Sequence, residues 1–198
     1  AELIVAHVLD RRRLELALRA DEAVDDDQHA AIKALIAERA TGRPLAYVLG
    51  TREFYGLTLR IDERALVPRP ETELLVEQTL LRLRETRSPR IADLGTGCGA
   101  IALALAHERR DSFIVAVDLS EPALALAREN ADGLGLHNIE FRHGDLCGPL
   151  SGERFEALCC NLPYVPSAVI DTLAVEVRAH EPRLALDGGA DGLDLYRR

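Results

Sequence analysis

Ile91-Ala92-Asp93-Leu94-Gly95-Thr96-Gly97-Cys98-Gly99-Ala100-Ile101-Ala102 passes from a short apolar strand pattern, through alternating glycines, into the start of an apolar helix. Glycines in such a turn let backbone approach a ligand without side-chain obstruction, the geometry of a nucleotide cradle. Gly95, Thr96, Gly97, Cys98 and Gly99 are its candidate residues. Gly95-x-Gly97-x-x-Ala100 also meets the relaxed dinucleotide fingerprint, and some strand-to-helix turns carry glycine for steric reasons only, so the turn by itself leaves the ligand open. Asp118 narrows the choice, because a carboxylate ending the next strand can accept both hydroxyls of a ribose. Asp93 either supports the cofactor through its neighbours or fixes the glycine turn.

Downstream, apolar runs predict strands at Ile91–Leu94, Phe113–Asp118, Ile139–Arg142 and Ala157–Asn161, with helices near Ala100–His107 and Pro122–Asp132. Ser120 suits the N-cap of the second helix and Gly133 its stop. Strands alternating with helices imply an α/β fold, a Rossmann-like parallel sheet covered on both faces. Gly144-Asp145-Leu146 comes after the third strand. There Asp145 can meet an adenine amino group and Leu146 its face, and the alternative is an ordinary polar turn.

Asn161-Leu162-Pro163-Tyr164 succeeds the apolar run Ala157-Leu158-Cys159-Cys160. Asn161 carries a side-chain carbonyl, and Leu162, standing before a proline, is biased to extended geometry with its carbonyl exposed. Two acceptors can thus receive both N–H bonds of a planar NH2 group, with Tyr164 as a flat wall beside it. Such bonds aim the nitrogen at a methyl donor and stabilise the positive charge that grows on it, with no general base needed first. Cradle and grip together point to methyl transfer onto nitrogen.

Upstream of the cradle, apolar residues recur at helical spacing from Glu2 to about Ala40, interrupted by Asp25-Asp26-Asp27, read as a solvated turn and helix start. Phe54 to Ile61 reads as a hairpin after a turn at Gly50. Pro68-Arg69-Pro70-Glu71-Thr72-Glu73 starts a further helix, expected to run to about Arg87 and to end at Arg87-Ser88-Pro89. The expected organisation is a helical domain over 1–45, a hairpin linker over 46–67 and the Rossmann-like domain over 68–198.

The 198 residues are 47% hydrophobic and 29% charged, an ordinary globular composition. No stretch approaches the roughly 18 apolar residues of a membrane span, and the N-terminus lacks a basic region leading into an apolar core, so a cytoplasmic protein away from membranes is expected. The chain contains no methionine, so its natural start is absent and a leader is not excluded. Cys98, Cys147, Cys159 and Cys160 form no C-x-x-C pair, which suits a reducing compartment, and the histidines show no metal spacing, so no metal is expected. Of the net charge of −9, only −1 falls in residues 1–90 and −8 in residues 91–198, a balance that repels a phosphate backbone.

These motifs resemble those of the HemK/PrmC family of S-adenosylmethionine-dependent protein-(glutamine) N-methyltransferases. The resemblance extends to Pro44-Leu45-Ala46-Tyr47-Val48-Leu49-Gly50, Glu53-Phe54-Tyr55-Gly56, the Pro68–Glu73 segment, and His180-Glu181-Pro182-Arg183 leading to Asp187-Gly188-Gly189-Ala190-Asp191-Gly192-Leu193. It implies a helical domain that docks a protein substrate and a Rossmann-like domain that methylates the glutamine of a Gly-Gly-Gln loop in class-one peptide-chain release factors. Gly95, Gly97, Gly99 and Asp118 would hold S-adenosylmethionine, Leu146 would lie near the adenine, and Asn161 to Tyr164 would hold the glutamine. The family motif is usually Asn-Pro-Pro-Tyr, whereas Leu162 stands here at its second position. Because a backbone carbonyl is what that position contributes, leucine keeps the chemistry and bears on substrate identity instead. Arg69 and Glu71 to Glu73 either line the channel between domains or serve the helix start, and Glu181 with Pro182 braces the substrate loop. A monomer is expected. The competing readings are a DNA or RNA amino-methyltransferase and a non-catalytic cofactor-binding protein. The resemblance also expects another helix and further strands after Arg198, so the chain is expected to be a fragment, unstable by itself.

Overall fold

The computed structural model describes residues 1–19 and 21–198. Four helices come first: α1 (Glu2–Val8), α2 (Arg13–Leu18), α3 (Asp26–Ala40) and α4 (Leu45–Leu49). The acidic run is a helix start, as its chemistry suggests. Asp25 accepts from the Gln28 N–H while the Gln28 side chain accepts from the Asp25 N–H, a complete capping box. Helix α2 buries none of its residues, and Leu14 and Leu18 face solvent.

The strands β1 (Thr51–Phe54) and β2 (Leu57–Arg60) form an antiparallel hairpin. Tyr55 and Gly56 both take positive φ, the geometry a two-residue hairpin turn needs to match strand twist. Buried Asn130 ties the hairpin to the glycine turn. Its Oδ1 accepts from the Arg60 N–H at 2.7 Å, and its Nδ2 donates to the carbonyls of Arg60 and Cys98. The hairpin therefore braces that turn from behind.

A single 3-10 turn, Pro70–Thr72, runs into α5 (Glu73–Arg82), which ends well before the expected Arg87. The cause is remote in sequence. The Arg109 guanidinium donates to the carbonyls of Leu83 and Thr86 at 2.9 and 2.7 Å, replacing the partners those carbonyls would have in a longer helix.

The remaining chain alternates: β3 (Arg90–Leu94), α6 (Ala100–Glu108), β4 (Phe113–Asp118), α7 (Glu121–Leu134), β5 (Ile139–His143) and β6 (Ala157–Cys160), then the short helices α8 (Val175–Arg178) and α9 (Asp194–Arg197). Ser120 caps α7 through its hydroxyl, as expected. The stop is Gly135, not Gly133: Gly135 adopts the left-handed conformation that closes the helix, and Gly133 lies inside it.

The four strands form one parallel sheet in the order β5-β4-β3-β6. Side-chain alternation divides its faces. Ile91, Ile114, Ala116 and Cys159 join the main core with residues of α5, α6 and α7, while Ala92, Leu94, Val115 and Val117 join a smaller cluster closed by Leu150 and Leu162. Helices thus cover one face. On the other, the loops after β5 and β6 supply the apolar cover.

Candidate active site

The strand order reverses at β3: β4 and β5 lie to one side and β6 to the other. Chains leaving the carboxyl ends of two such neighbouring strands diverge and open a crevice. Leu94 pairs beside Cys160, so Gly95 and Asn161, far apart in sequence, emerge side by side. A cleft of about 270 Å³ opens there, and its wall includes Gly95, Thr96, Gly97, Cys98, Asp118, Asp145, Leu146, Asn161, Leu162 and Pro163. Gly99 and Tyr164 are not brought into that wall. Gly99 sits at the N-cap of α6 with Leu103 and Ala127 against it, and Tyr164 is 61% exposed.

The turn after β3 is locked by its own backbone. The N–H groups of Gly95 and Thr96 both donate to the Val117 carbonyl, and the Gly97 N–H donates to Asp118 Oδ2 at 2.8 Å. Asp118 Oδ1 takes the Ser120 N–H, also at 2.8 Å. Each carboxylate oxygen thereby keeps acceptor capacity while its orientation is fixed.

Asp93 lies below the turn, fully buried and outside the cleft. Its Oδ2 accepts from the Thr96 hydroxyl at 2.7 Å, and its Oδ1 has no partner among the described residues. Burial pushes the carboxyl up to about 7, against the Thr96 bond that lowers it, with the Asp118 charge adding to the rise. Its contact with Thr96 assigns Asp93 to holding the turn.

Asn161 and Leu162 are each held from outside the strand. Asn161 Nδ2 donates to the Thr72 hydroxyl at 3.2 Å. The Leu162 side chain is only 6% exposed and sits in the smaller core cluster, while its carbonyl accepts from the Tyr196 hydroxyl at 3.3 Å. The Asp187–Gly192 loop packs on the same segment: the Gly188 N–H donates to the Val165 carbonyl, and a Cβ at Gly188 would lie 2.8 Å from the Pro163 oxygen.

Of Arg69 and Glu71 to Glu73, only Arg69 and Thr72 reach the cleft. Glu71 is exposed, and the Glu73 carboxylate accepts from the Tyr55 N–H at 2.9 Å. Arg69 donates to both oxygens of Glu181, whose side chain is 1% exposed. Burial raises the Glu181 carboxyl and the facing guanidinium opposes the rise. This pair ties the 3-10 turn to the segment before the Asp187 loop, a bracing role for Glu181.

Across the cleft mouth Arg198 pairs with Asp145. Leu119, half exposed just past Asp118, and Leu146 supply apolar walls. Leu119 and Tyr196 are site residues that sequence reasoning missed, and Thr72 was covered only as a member of the Glu71–Glu73 stretch. Adjacency to Asp118 was a signal for Leu119; a tyrosine near the last residues carried none. Among the described residues no group of His, Cys, Asp and Glu gathers as metal ligands.

Residues 70–189 match the Methyltransferase small domain family, and residues 1–50 match the PrmC N-terminal domain family. Release factor glutamine methyltransferases are similar along most of the chain. The Geobacter sulfurreducens protein is 40% identical over 196 residues, covering 99% of this chain and 68% of its own length. The Moorella thermoacetica protein is 42% identical over 198 residues, covering 100% and 70%. The Bradyrhizobium diazoefficiens protein is 51% identical over 163 residues, covering 80% and 54%. The chain thus spans between about half and 70% of the length of these relatives. Among solved structures, the hMettl16 catalytic domain in complex with MAT2A 3′UTR hairpin 6 is similar with a TM-score of 0.61 at 17% identity, covering 78% of this chain and 60% of that one, a likeness of fold alone. With a methyltransferase match across residues 70–189, around a glycine turn and an Asn-Leu-Pro-Tyr segment on adjoining strand ends, and with relatives of about 40% identity along its whole length, the chain belongs to the release factor glutamine methyltransferase family.

Proposed function

We propose that the chain transfers a methyl group from S-adenosylmethionine to the side-chain nitrogen of a glutamine, that of the Gly-Gly-Gln loop of a class-one peptide-chain release factor. The observation that carries this reading is the pairing of Asn161 with Thr72, which engages the NH2 end of the Asn161 amide and leaves its carbonyl for a substrate N–H beside the glycine turn.

The residues present fit the cofactor. A Cβ at Gly95 would be strained at its φ of +69° and would crowd Leu162 Cδ2 at 3.2 Å, so glycine suits the cradle beside the grip. Gly95, Thr96, Gly97 and Cys98 would hold its methionine side, Asp118 its ribose, and Asp145 and Leu146 its adenine, with Asn161 at the border. Bound there, S-adenosylmethionine supplies an electrophilic methyl carbon. Asn161 Oδ1 and the Leu162 carbonyl accept the two N–H bonds of the glutamine amide. As the nitrogen gains positive charge its N–H groups become stronger donors, so both bonds tighten toward the transition state. The Leu162 carbonyl has two lone pairs and accommodates Tyr196 and substrate together. After transfer the nitrogen gives its extra proton to water, so no buried base is required.

The helices before the hairpin are the proposed docking domain for the protein substrate, and a monomer suffices because one chain supplies cradle and grip. All four cysteines are free, in keeping with a cytoplasmic location, and no described helix is long and apolar enough to cross a membrane. A nucleic-acid substrate is disfavoured by the −8 balance of residues 91–198. Mass spectrometry after incubation of the full-length protein with S-adenosylmethionine and a release factor is expected to show one added methyl group on the loop glutamine. A release factor left unmodified after long incubation would overturn the substrate.

The cofactor wall has its own test. Leu146 adopts φ +49°, a left-handed conformation that costs a branched side chain about 1 kcal/mol. Leu146→Gly relieves that strain but raises chain entropy and gives up the packing of Leu146 against the smaller core cluster, so the thermal midpoint is expected to fall. Loss of the apolar wall is expected to weaken S-adenosylhomocysteine binding about tenfold, or ~1.4 kcal/mol, in calorimetric titration. Unchanged affinity would place the adenine elsewhere.

A further inference from the structure

We infer that Thr72 is a positioning residue that holds the Asn161 amide in place beside the glycine turn; the inference rests on the glutamine-methylation reading for its kinetic consequence but not for its geometry. The terminal torsion of an asparagine side chain is broad, so an amide without a partner samples a range of angles. The angle matters here, because an acceptor swung off line loses its bond to the NH2 of the substrate. Thr72 Oγ1 lies 3.2 Å from Asn161 Nδ2, and no protein hydrogen bond engages Asn161 Oδ1 among the described residues. Both residues line the cleft.

Thr72 is suited to the task because its backbone is pinned on both sides. Its N–H donates to the Arg69 carbonyl at 3.0 Å, closing the 3-10 turn. Arg69 is anchored to buried Glu181, and Glu73 is anchored to the hairpin through the Tyr55 N–H. A β-branched side chain on such a backbone has little rotational freedom. Thr72 therefore offers its hydroxyl at a fixed point, and the Asn161 amide, at the end of β6, sets itself against it. The start of α5 is in this way part of the methyl-acceptor site.

The test is a double-mutant cycle with the full-length protein, S-adenosylmethionine and release factor. Thr72→Val keeps the side-chain shape and removes the bond, and is expected to lower kcat about tenfold, the effect of one neutral hydrogen bond near the upper end of its range, with KM and cofactor affinity within about twofold. Thr72→Ser restores kcat to within about twofold of the parent. In an Asn161→Ala background Thr72→Val causes no further loss, because there is no amide left to orient. An equal loss in both backgrounds would overturn the inference. The second readout needs no substrate: in ¹⁵N-labelled protein, Thr72→Val is expected to shift the two Asn161 side-chain N–H resonances and narrow their separation, and Thr72→Ser to preserve it. Resonances indifferent to Thr72→Val would overturn the inference. If the release factor is not methylated, a response to valine and not to serine upholds the role of Thr72 while the substrate reading falls.

Discussion

Replacing Asn161 with alanine is expected to lower the rate of methyl transfer by about 10²–10³, the usual cost of removing one preorganised contact to charge that develops in a transition state. The size reflects what the residue does. The amide of a glutamine is a poor nucleophile, and the two carbonyl acceptors at the end of β6 are the groups placed to answer the positive charge that methylation creates. Alanine removes one of them and leaves the Thr72 hydroxyl facing empty space. The alternative acceptor, water, must reorganise during the reaction, which is the cost preorganisation avoids. Cofactor binding is expected to weaken far less, since the backbone bonds that lock the glycine turn run to Val117 and Asp118 and do not involve Asn161. Single-turnover methylation of release factor, with S-adenosylhomocysteine titrated separately, distinguishes the two effects. Undiminished turnover would remove Asn161 from the chemistry.

The parts of this site that were legible in the sequence are those whose cause is local. Phe113–Asp118 and Ala157–Asn161 read as strands because buried parallel strands are short apolar runs bounded by turn residues; the first has those bounds and the second ends one residue earlier, at Cys160. Gly95 and Asn161 could be assigned to one site because ligands gather at the carboxyl ends of strands where their order reverses. What could not be read is whatever depends on a partner remote in sequence. The end of α5 is decided by Arg109, which lies on the far side of β3 in the chain. Asn161 is held in place by Thr72, whose hydroxyl in a helix start looks like a cap. Tyr196 reaches the Leu162 carbonyl from the last helix. Leu162 shows both kinds of cause at once. Its place before Pro163 exposes the carbonyl, a local effect, but the side chain is accommodated by an apolar cluster that forms only when the loops fold back over the sheet. That cluster explains how a leucine replaces the usual proline there without opening the segment.

Stability of the folded chain is expected to fall as pH rises from about 4 to about 7, and Asp93→Asn to remove most of that slope. Asp93 sits in the middle of β3, paired beside Ala116 of β4 and Cys159 of β6, with no exposed surface. The hydrogen bond from Thr96 does not offset the loss of water, and the charge of Asp118, of the same sign, adds to the rise. The carboxyl is thereby raised from 3.8 to about 7. In the unfolded chain it loses its proton near the lower value; in the folded chain it keeps the proton until near the upper one. Between the two the folded state binds more protons, so each step upward in pH favours unfolding, and the effect saturates above about 7. A rise of this size corresponds to something on the order of 4 kcal/mol. Glu181, also raised, acts in the same direction from its own ordinary value upward. Asp111 and Asp191 are lowered by their arginine partners and so lose their contribution only at acid pH, below this window. Asparagine at position 93 keeps an acceptor for Thr96 and carries no charge at any pH, but adds an NH2 group with no partner, at a cost of about 1–3 kcal/mol. The two stability curves should therefore cross: the parent the more stable near pH ~4, Asp93→Asn the more stable near pH ~8. Urea denaturation of the full-length protein across this range measures both. Parallel curves would mean that the buried carboxyl is already ionised in the folded chain and that Thr96 is a stronger partner than its single bond suggests. Crossing curves would mean that the glycine turn is held by a carboxyl the fold keeps at energetic cost, which is expected only where the position of Thr96, and with it the cradle, matters more than stability.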